Sequence, residues 1–443
     1  MAEKQPNPAK YFVASFAVAI LVGAFLLALP FSSAEKGGTG IIDALFTATS
    51  ATCVTGLVVV DTGAHFSRFG QAVLVLLMQL GGLGIMTFSV FAGVVLGRGV
   101  GIWQRQIMQD SFGTQYTGRV SGLVVRIILM VLAIEGTGVL FLFIHWRKTA
   151  KTTSKALWLA TFHSVSAFNN AGFSTFSNNL EKFHDDYFVN VVIMLLIILG
   201  GLGFVTLFEL LRLIRRKKNV HSLSLHSHTV LITTGFLILG GATFIYLLES
   251  FRVLKGLGSA EGFIAALFQS VTARTAGFNT IPIGALSNST LLIITILMFI
   301  GASPGSTGGG VKTTTAAIFF ADLKSYLRGR EPEMWERSID RATVEKAYLI
   351  IIICLTLVIV STFLLMIFEP EMDAMDIVFE VVSAFGTVGL SAGITPHLST
   401  AGKIVIIIVM YAGRVGPLTL ALAVGSRSIG GDYRYPEGKI FVG

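Results

Sequence analysis

Phe46-Thr47-Ala48-Thr49-Ser50-Ala51-Thr52-Cys53-Val54-Thr55-Gly56-Leu57 is one of four related strings in this chain. The second is Phe162-His163-Ser164-Val165-Ser166-Ala167-Phe168-Asn169-Asn170-Ala171-Gly172-Phe173. The third is Phe268-Gln269-Ser270-Val271-Thr272-Ala273-Arg274-Thr275-Ala276-Gly277-Phe278, and the fourth is Phe379-Glu380-Val381-Val382-Ser383-Ala384-Phe385-Gly386-Thr387-Val388-Gly389-Leu390. Each has Phe, then Ser/Thr-Ala, then Gly before an apolar residue. The Phe-to-Gly interval is ten residues in three strings and nine in the third. The third loop is therefore expected to be built differently.

Each string closes a short apolar run: Gly40–Thr52, Lys155–Phe168, Ser259–Ala273 and Asp373–Phe385. At 1.5 Å per residue such helices reach only about 20 Å, short of a ~30 Å hydrocarbon core, so re-entrant pore helices are predicted. Longer runs flank them: Tyr11–Phe31, Phe69–Leu96, Val120–His145, Phe188–Leu213, Thr229–Leu248, Leu291–Ala321, Ala347–Phe368 and Lys403–Gly425. These predict eight membrane spans in a long-short-long order repeated four times. The first run also has the look of a signal peptide, but the repeat explains it as a retained first helix. Glycines recur in the later long run of each unit, at Gly81-Gly82, Gly200-Gly201, Gly301 and Gly413, where close helix packing is one reading.

Composition agrees. Of 443 residues, 53% are hydrophobic and 13% charged, and mean hydropathy is +0.76. A soluble domain carries about 25% charged residues, so bilayer is the implied solvent. The net charge of +8 comes from loops beside apolar runs and points to topology, not nucleic acid. Roughly twice as many Lys and Arg fall on the N-terminal side of the predicted spans as on the other, which places both termini in the cytoplasm. Cys53 and Cys354 have no metal or redox spacing and read as small apolar fillers.

Non-helical backbone at membrane depth must be buried in protein or line a water-filled path. Four glycine loops around one axis would meet that demand, with carbonyls turned inward to replace a cation's hydration shell. The negative ends of the four short helices would add to the attraction. The strings Thr387-Val388-Gly389 and Thr275-Ala276-Gly277 look like degenerate potassium-channel filters. Four such units in one chain resemble the Trk, Ktr and HKT potassium transporter superfamily. The short N-terminal segment, the length and the single core resemble its Ktr branch.

That resemblance implies an all-α membrane protein, with four M1–pore helix–M2 repeats at 11–97, 120–217, 228–325 and 344–427 around one pore, and a cytoplasmic tail at 428–443. The filter would comprise Val54-Thr55-Gly56, Asn170-Ala171-Gly172, Thr275-Ala276-Gly277 and Thr387-Val388-Gly389. In the family a serine at the first filter glycine accompanies sodium preference, so Gly56 favours potassium. Val54 and Asn170 depart from the threonine of the other two triplets, and a four-fold hydroxyl ring cannot form. The resemblance also implies potassium as substrate, sodium as activator, no organic cofactor, a homodimer with the tail at its contact, and a cytoplasmic ring of nucleotide-binding regulatory subunits of RCK/KTN type. Sodium, non-selective and proton-coupled transport are the competing readings.

Gly301-Ala302-Ser303-Pro304-Gly305-Ser306-Thr307-Gly308-Gly309-Gly310-Val311-Lys312 interrupts the sixth run. The resemblance makes it an intramembrane gating loop, with Gly305, Gly308, Gly309, Gly310 and Lys312 in it; a plain kink is the bland alternative. It is no phosphate-binding loop, since Val311 separates Gly310 from Lys312. Lys312 either hydrogen-bonds loop carbonyls or snorkels. Arg414 is either a pore-facing barrier or half of a buried ion pair. Arg274 is expected to brace the loops, paired with Glu380. His221, His226 and His228 suggest a polar linker more than a metal site. Asp61, His65, Glu181, His184, Asp185 and Asp186 lie at outer loop ends, where acids either concentrate cations or are simply solvated. No enzyme motif is present in the sequence.

Overall fold

A computed structural model describes residues 8–34, 37–84, 87, 120–216, 223–416 and 419–420. Four helices in it are long and apolar enough to cross a membrane. They are α1 (Pro8–Ala28), α5 (Val120–Trp146), α9 (Leu225–Glu249) and α13 (Arg341–Phe368). A short helix follows each: α2 (Ile41–Thr52), α6 (Thr153–Phe168), α10 (Ser259–Thr272) and α14 (Ala374–Gly386). The chain then re-enters the apolar layer as α4 (Arg68–Leu83), α7 (Tyr187–Gly201), α11 (Asn288–Phe299) and α15 (Thr400–Val415). α3 (Thr62–His65), α8 (Phe204–Arg216), α12 (Thr313–Leu327), a hairpin of β1 (Glu333–Met334) and β2 (Arg337–Ser338), and four 3-10 turns at Pro30–Ser32, Glu181–Phe183, Ile283–Ala285 and Thr395–His397 complete the described elements.

One device starts every re-entering helix. Its N-cap is Ser67, Asp186, Ser287 or Ser399, whose side chain accepts a first-turn N–H. The same residue is tied back to the end of the preceding long segment. Ser67 donates to the Phe31 carbonyl at 2.6 Å, and Asp186 meets His145 at 2.6 Å. Glu249 accepts the Ser287 N–H at 2.9 Å, and Glu369 accepts that of Ser399 at 2.7 Å. The span-to-span geometry is thus set four times by a polar clasp at the membrane edge.

The units close into a ring. α4 packs on α6, α7 on α10, α11 on α14, and α15 returns to α2. Glycine makes the close approach possible. A Cβ at Gly81, Gly200 or Gly413 would run into the carbonyl of Thr52, Phe168 or Phe385, at the end of the short helix of its own unit. Gly301 instead faces the Gly309 carbonyl of its own loop.

The structure differs from eight straight spans in one respect. The interruption expected in the sixth run is present, but the other re-entering runs break too. In the run Phe69–Leu96 the helix stops at Leu83, and Gly84 takes φ 82°. In Phe188–Leu213, α7 and α8 meet at 109° across Leu202-Gly203. In Lys403–Gly425 the helix stops at Val415, and Gly416 takes φ 90°. Exposed backbone at the α7–α8 break and at the break of the sixth run is satisfied mutually. Ser303 and Thr307 donate N–H groups to the Gly201 and Gly200 carbonyls at 3.1 and 3.2 Å, and Phe204 donates to Gly305 at 2.9 Å. The 428–443 tail lies outside the described residues.

Candidate ion path

The four glycine strings leave their short helices through a common turn. Thr55, Ala171 and Val388 each donate an N–H to the carbonyl five residues back, at Ser50, Ser166 and Ser383, all at 2.8 Å. In the third string Ala276 donates only four back, to Thr272 at 2.9 Å. The nine-residue interval is absorbed there by a tighter turn.

Beyond the turn, backbone handedness alternates. Val54, Asn170, Thr275 and Thr387 have φ of 51°, 55°, 69° and 50°. The residue two places on is always glycine, with φ of 95°, 70°, 75° and 91° at Gly56, Gly172, Gly277 and Gly389. Left-handed backbone is strained for Val and Thr and persists only where the surroundings dictate it. All four leading residues are fully buried. Ser50 and Ser383 hydroxyls accept the N–H of Gly56 and Gly389 at 3.0 and 3.1 Å, pinning two loops from behind.

The glycines form a closed ring. A Cβ built on Gly56 would lie 2.7 Å from the Ala171 carbonyl oxygen, and one on Gly172 2.9 Å from that of Ala276. On Gly277 it would lie 2.5 Å from that of Val388, and on Gly389 it would strike that of Thr55. Each loop's middle carbonyl therefore sits against its neighbour's glycine. Gly56, Gly172, Gly277 and Gly389 surround one axis, and backbone oxygens gathered this way can stand in for cation hydration.

On one side the ring opens into a vestibule of about 430 Å³ lined by all four glycines, Asp61 and Glu181. Asp61 also caps α3, and Glu181 accepts from Asn279 at 2.9 Å. His65, His184, Asp185 and Asp186 do not line the vestibule.

On the other side, residues 300–312 pass directly beneath the loops. The Gly309 N–H donates to the Thr387 hydroxyl at 3.0 Å, and a Cβ on Gly308 would strike the Thr275 hydroxyl. The Thr307 hydroxyl donates to the Phe168 carbonyl at 3.2 Å. The loop folds on itself, with Ile300 bridged to Val311 and the Lys312 ammonium donating to the Gly308 carbonyl at 2.7 Å. Gly305 accepts from Phe204, and Gly310 takes φ 69° against Gly301. The Arg414 guanidinium donates to the Thr307 carbonyl of this loop and to the Gly81 and Gly82 carbonyls at the end of α4. It has carbonyl partners and no carboxylate among the described residues.

One expected pairing is not formed. Arg274 donates to the Gly301 carbonyl at 3.1 Å. Glu380 instead accepts from the hydroxyls of Ser391, at 2.7 Å, and Thr395. The two hang on opposite sides of the ring: Arg274 at the end of its short helix meets the intramembrane loop, while Glu380, near the start of its string, ties down the strand leaving the vestibule.

Sequence reasoning missed Glu135. It lies in the third apolar run, 5% exposed, and accepts from Asn169 at 2.9 Å and Gln79 at 3.3 Å. Asn169 also donates to Gln79 at 2.8 Å. This network binds α4, α5 and the end of α6 one residue before the Asn170 triplet. A lone acid inside an apolar run was the available signal. Of the histidine stretch, His221 lies outside the described residues, and the His228 ring sits 4.8 Å from that of Trp335. No cluster of metal-ligating side chains occurs among the described residues.

A family model described as TrkH, cation transport protein, matches residues 9–427. The chain belongs to the TrkH family. It is accordingly a multi-pass membrane transporter, not an enzyme. Among its TrkH-family relatives, Ktr system potassium uptake protein B of Bacillus subtilis is 40% identical over 442 residues, covering 99% of this chain and 97% of that protein. Potassium/sodium uptake protein NtpJ of Enterococcus hirae is 35% identical over 448 residues, covering 99% and 98%. The crystal structure of the potassium transporter TrkH from Vibrio parahaemolyticus superimposes with a TM-score of 0.75 at 20% identity, covering 96% of this chain and 86% of that one, and so shares its fold.

Proposed function

We propose that this chain takes up potassium across the plasma membrane through the ring of Gly56, Gly172, Gly277 and Gly389. The observation that carries the reading is the cyclic contact of each loop's carbonyl with the next loop's glycine. A cation entering from the vestibule sheds water against those oxygens, and Asp61 and Glu181 raise its local concentration. Val54-Thr55, Asn170-Ala171, Thr275-Ala276 and Thr387-Val388 supply the remaining path. The Thr275 hydroxyl lies 3.1 Å from the Asn170 amide, so at this level the ring is uneven and the sites are fewer than in a symmetric channel. Residues 304–310, braced by Lys312 and Arg414, form the gate. Arg274 and Glu380 hold the surrounding backbone.

In this reading the four repeats, 11–97, 120–217, 228–325 and 344–427, make one translocating domain, with both termini in the cytoplasm. Relatives are named as parts of a Ktr system, which supports a complex with a partner subunit; in this reading that partner is a cytoplasmic nucleotide-binding regulatory ring. A homodimer with the tail at its contact belongs to the same reading. The potassium/sodium name of one relative supports a link to sodium, which this reading takes as an activator.

The test is rubidium and sodium influx into liposomes holding purified protein, with and without Gly56→Ser. Rubidium preference that falls in the variant supports the reading. Selectivity identical in the two would remove the glycine ring from the ion path, and a proton-dependent influx would favour coupled transport.

A further inference from the structure

The bend between α7 and α8 creates a second cavity, which shares no lining residue with the vestibule. With α5 these helices enclose a groove of about 1160 Å³. Its wall is apolar, with Leu129, Ala133 and Phe141 from α5, Leu195 from α7, and Phe208 and Leu211 from α8. Leu129 and Leu195 are 62% and 54% exposed, so the groove is open to the surrounding lipid.

Charge is confined to one end. The Phe141 and Phe188 rings meet at 6.3 Å near the vestibule side. Antiparallel α5 and α7 then place Arg126 level with the far end of α7, where α8 begins. Arg212 and Arg215 of α8 line the same groove. None of these arginines has an ion-pair or hydrogen-bond partner among the described residues. The acid on α8, Glu209, is taken by the N–H and hydroxyl of Ser224 at 3.1 and 3.0 Å. From Arg126 to Phe141 the groove runs about 22 Å at 1.5 Å per residue, more than the ~15 Å depth of one leaflet's hydrocarbon.

We propose that this groove binds an anionic phospholipid from the leaflet opposite the vestibule, its phosphate on Arg126, Arg212 and Arg215 and an acyl chain along the apolar wall. Charge complementarity selects the ligand. A soluble anion would leave the wall bare, and a neutral lipid would leave three guanidinium groups without a counter-charge. Basic pockets between membrane helices are a recurrent solution for anionic headgroups.

The experiment is native mass spectrometry of the detergent-purified full chain, titrated with phosphatidylglycerol or with phosphatidylcholine of the same acyl chains. Wild type is expected to retain phosphatidylglycerol at least about tenfold more tightly. The combined variant Arg126→Gln, Arg212→Gln, Arg215→Gln should lose that preference. Ala133→Trp, which fills the groove and keeps the arginines, should lose phosphatidylglycerol itself. Equal retention of the two lipids by wild type overturns the proposal whatever the variants do. So does an unchanged preference in the arginine variant, or inorganic phosphate displacing the lipid at equal concentration. Binding is read without transport, so this site and the proposed ion path fail independently.

Discussion

The Gly309 N–H and the Thr387 hydroxyl are 3.0 Å apart, joining the intramembrane loop to the first residue of the fourth glycine triplet. A single neutral hydrogen bond is worth about 1 kcal/mol, or roughly fivefold in a two-state equilibrium. Thr387→Val keeps the shape and removes the acceptor. Basal rubidium flux in liposomes should rise by about that factor if this bond holds the loop closed. Unchanged flux would mean that the loop is held elsewhere.

Arg414 should matter more. Its guanidinium links the loop at Thr307 to the end of α4 at Gly81 and Gly82, with charge-assisted bonds of about 1.5–3 kcal/mol each. Arg414→Ala is expected to raise basal flux well beyond Thr387→Val and to lower the thermal midpoint. Arg414→Lys, which offers donors without the planar fork, should fall between wild type and Ala. A flux in Arg414→Ala equal to wild type would count against a gating role.

Deleting residues 304–310 removes the loop segment beneath the ring. Faster and less regulated uptake is expected in a potassium-uptake-deficient cell. Unaltered or lost uptake from a protein of normal abundance and size-exclusion profile would contradict the gate.

Gly81→Ala should unfold more easily than wild type, by about 1–3 kcal/mol, because its Cβ meets the Thr52 carbonyl in a packed interior. Gly136→Ala is the control, with open space around the new methyl, and should be neutral or slightly stabilising. Thermal-shift midpoints in detergent check both; equal shifts would refute the packing account.

Glu135→Ala leaves the Gln79 amide donor without its acceptor inside the membrane layer, at a cost of about 1–3 kcal/mol, while Asn169 keeps the Gln79 and Val165 oxygens as acceptors. Glu135→Gln keeps an acceptor and should cost less. The ratio of the two thermal shifts reports whether hydrogen bonding, and not charge, is what the site requires.

Much was legible along the chain because it depends on local spacing. The short helices were readable to within about two residues, since an apolar run too short to span is visible in one dimension. The odd third loop was readable from a missing residue between Phe268 and Gly277, and the structure absorbs it by the shorter Ala276–Thr272 turn. The interruption after Gly301 was readable because glycine and proline break helices wherever they cluster.

What tertiary structure alone decided is who faces whom. Sequence spacing could not show that Arg274 would meet Gly301 and leave Glu380 to Ser391 and Thr395, because both were equally placed to pair. It could not show that α4, α7 and α15 stop or bend at Gly84, Gly203 and Gly416, since glycine is also tolerated within packed membrane helices. Nor could it place Glu135 beside Asn169. Helix, turn and burial preference are properties of neighbouring residues. The partner of a buried polar group is chosen only when four units close around one axis and every exposed carbonyl and guanidinium must find its counterpart inside the ring.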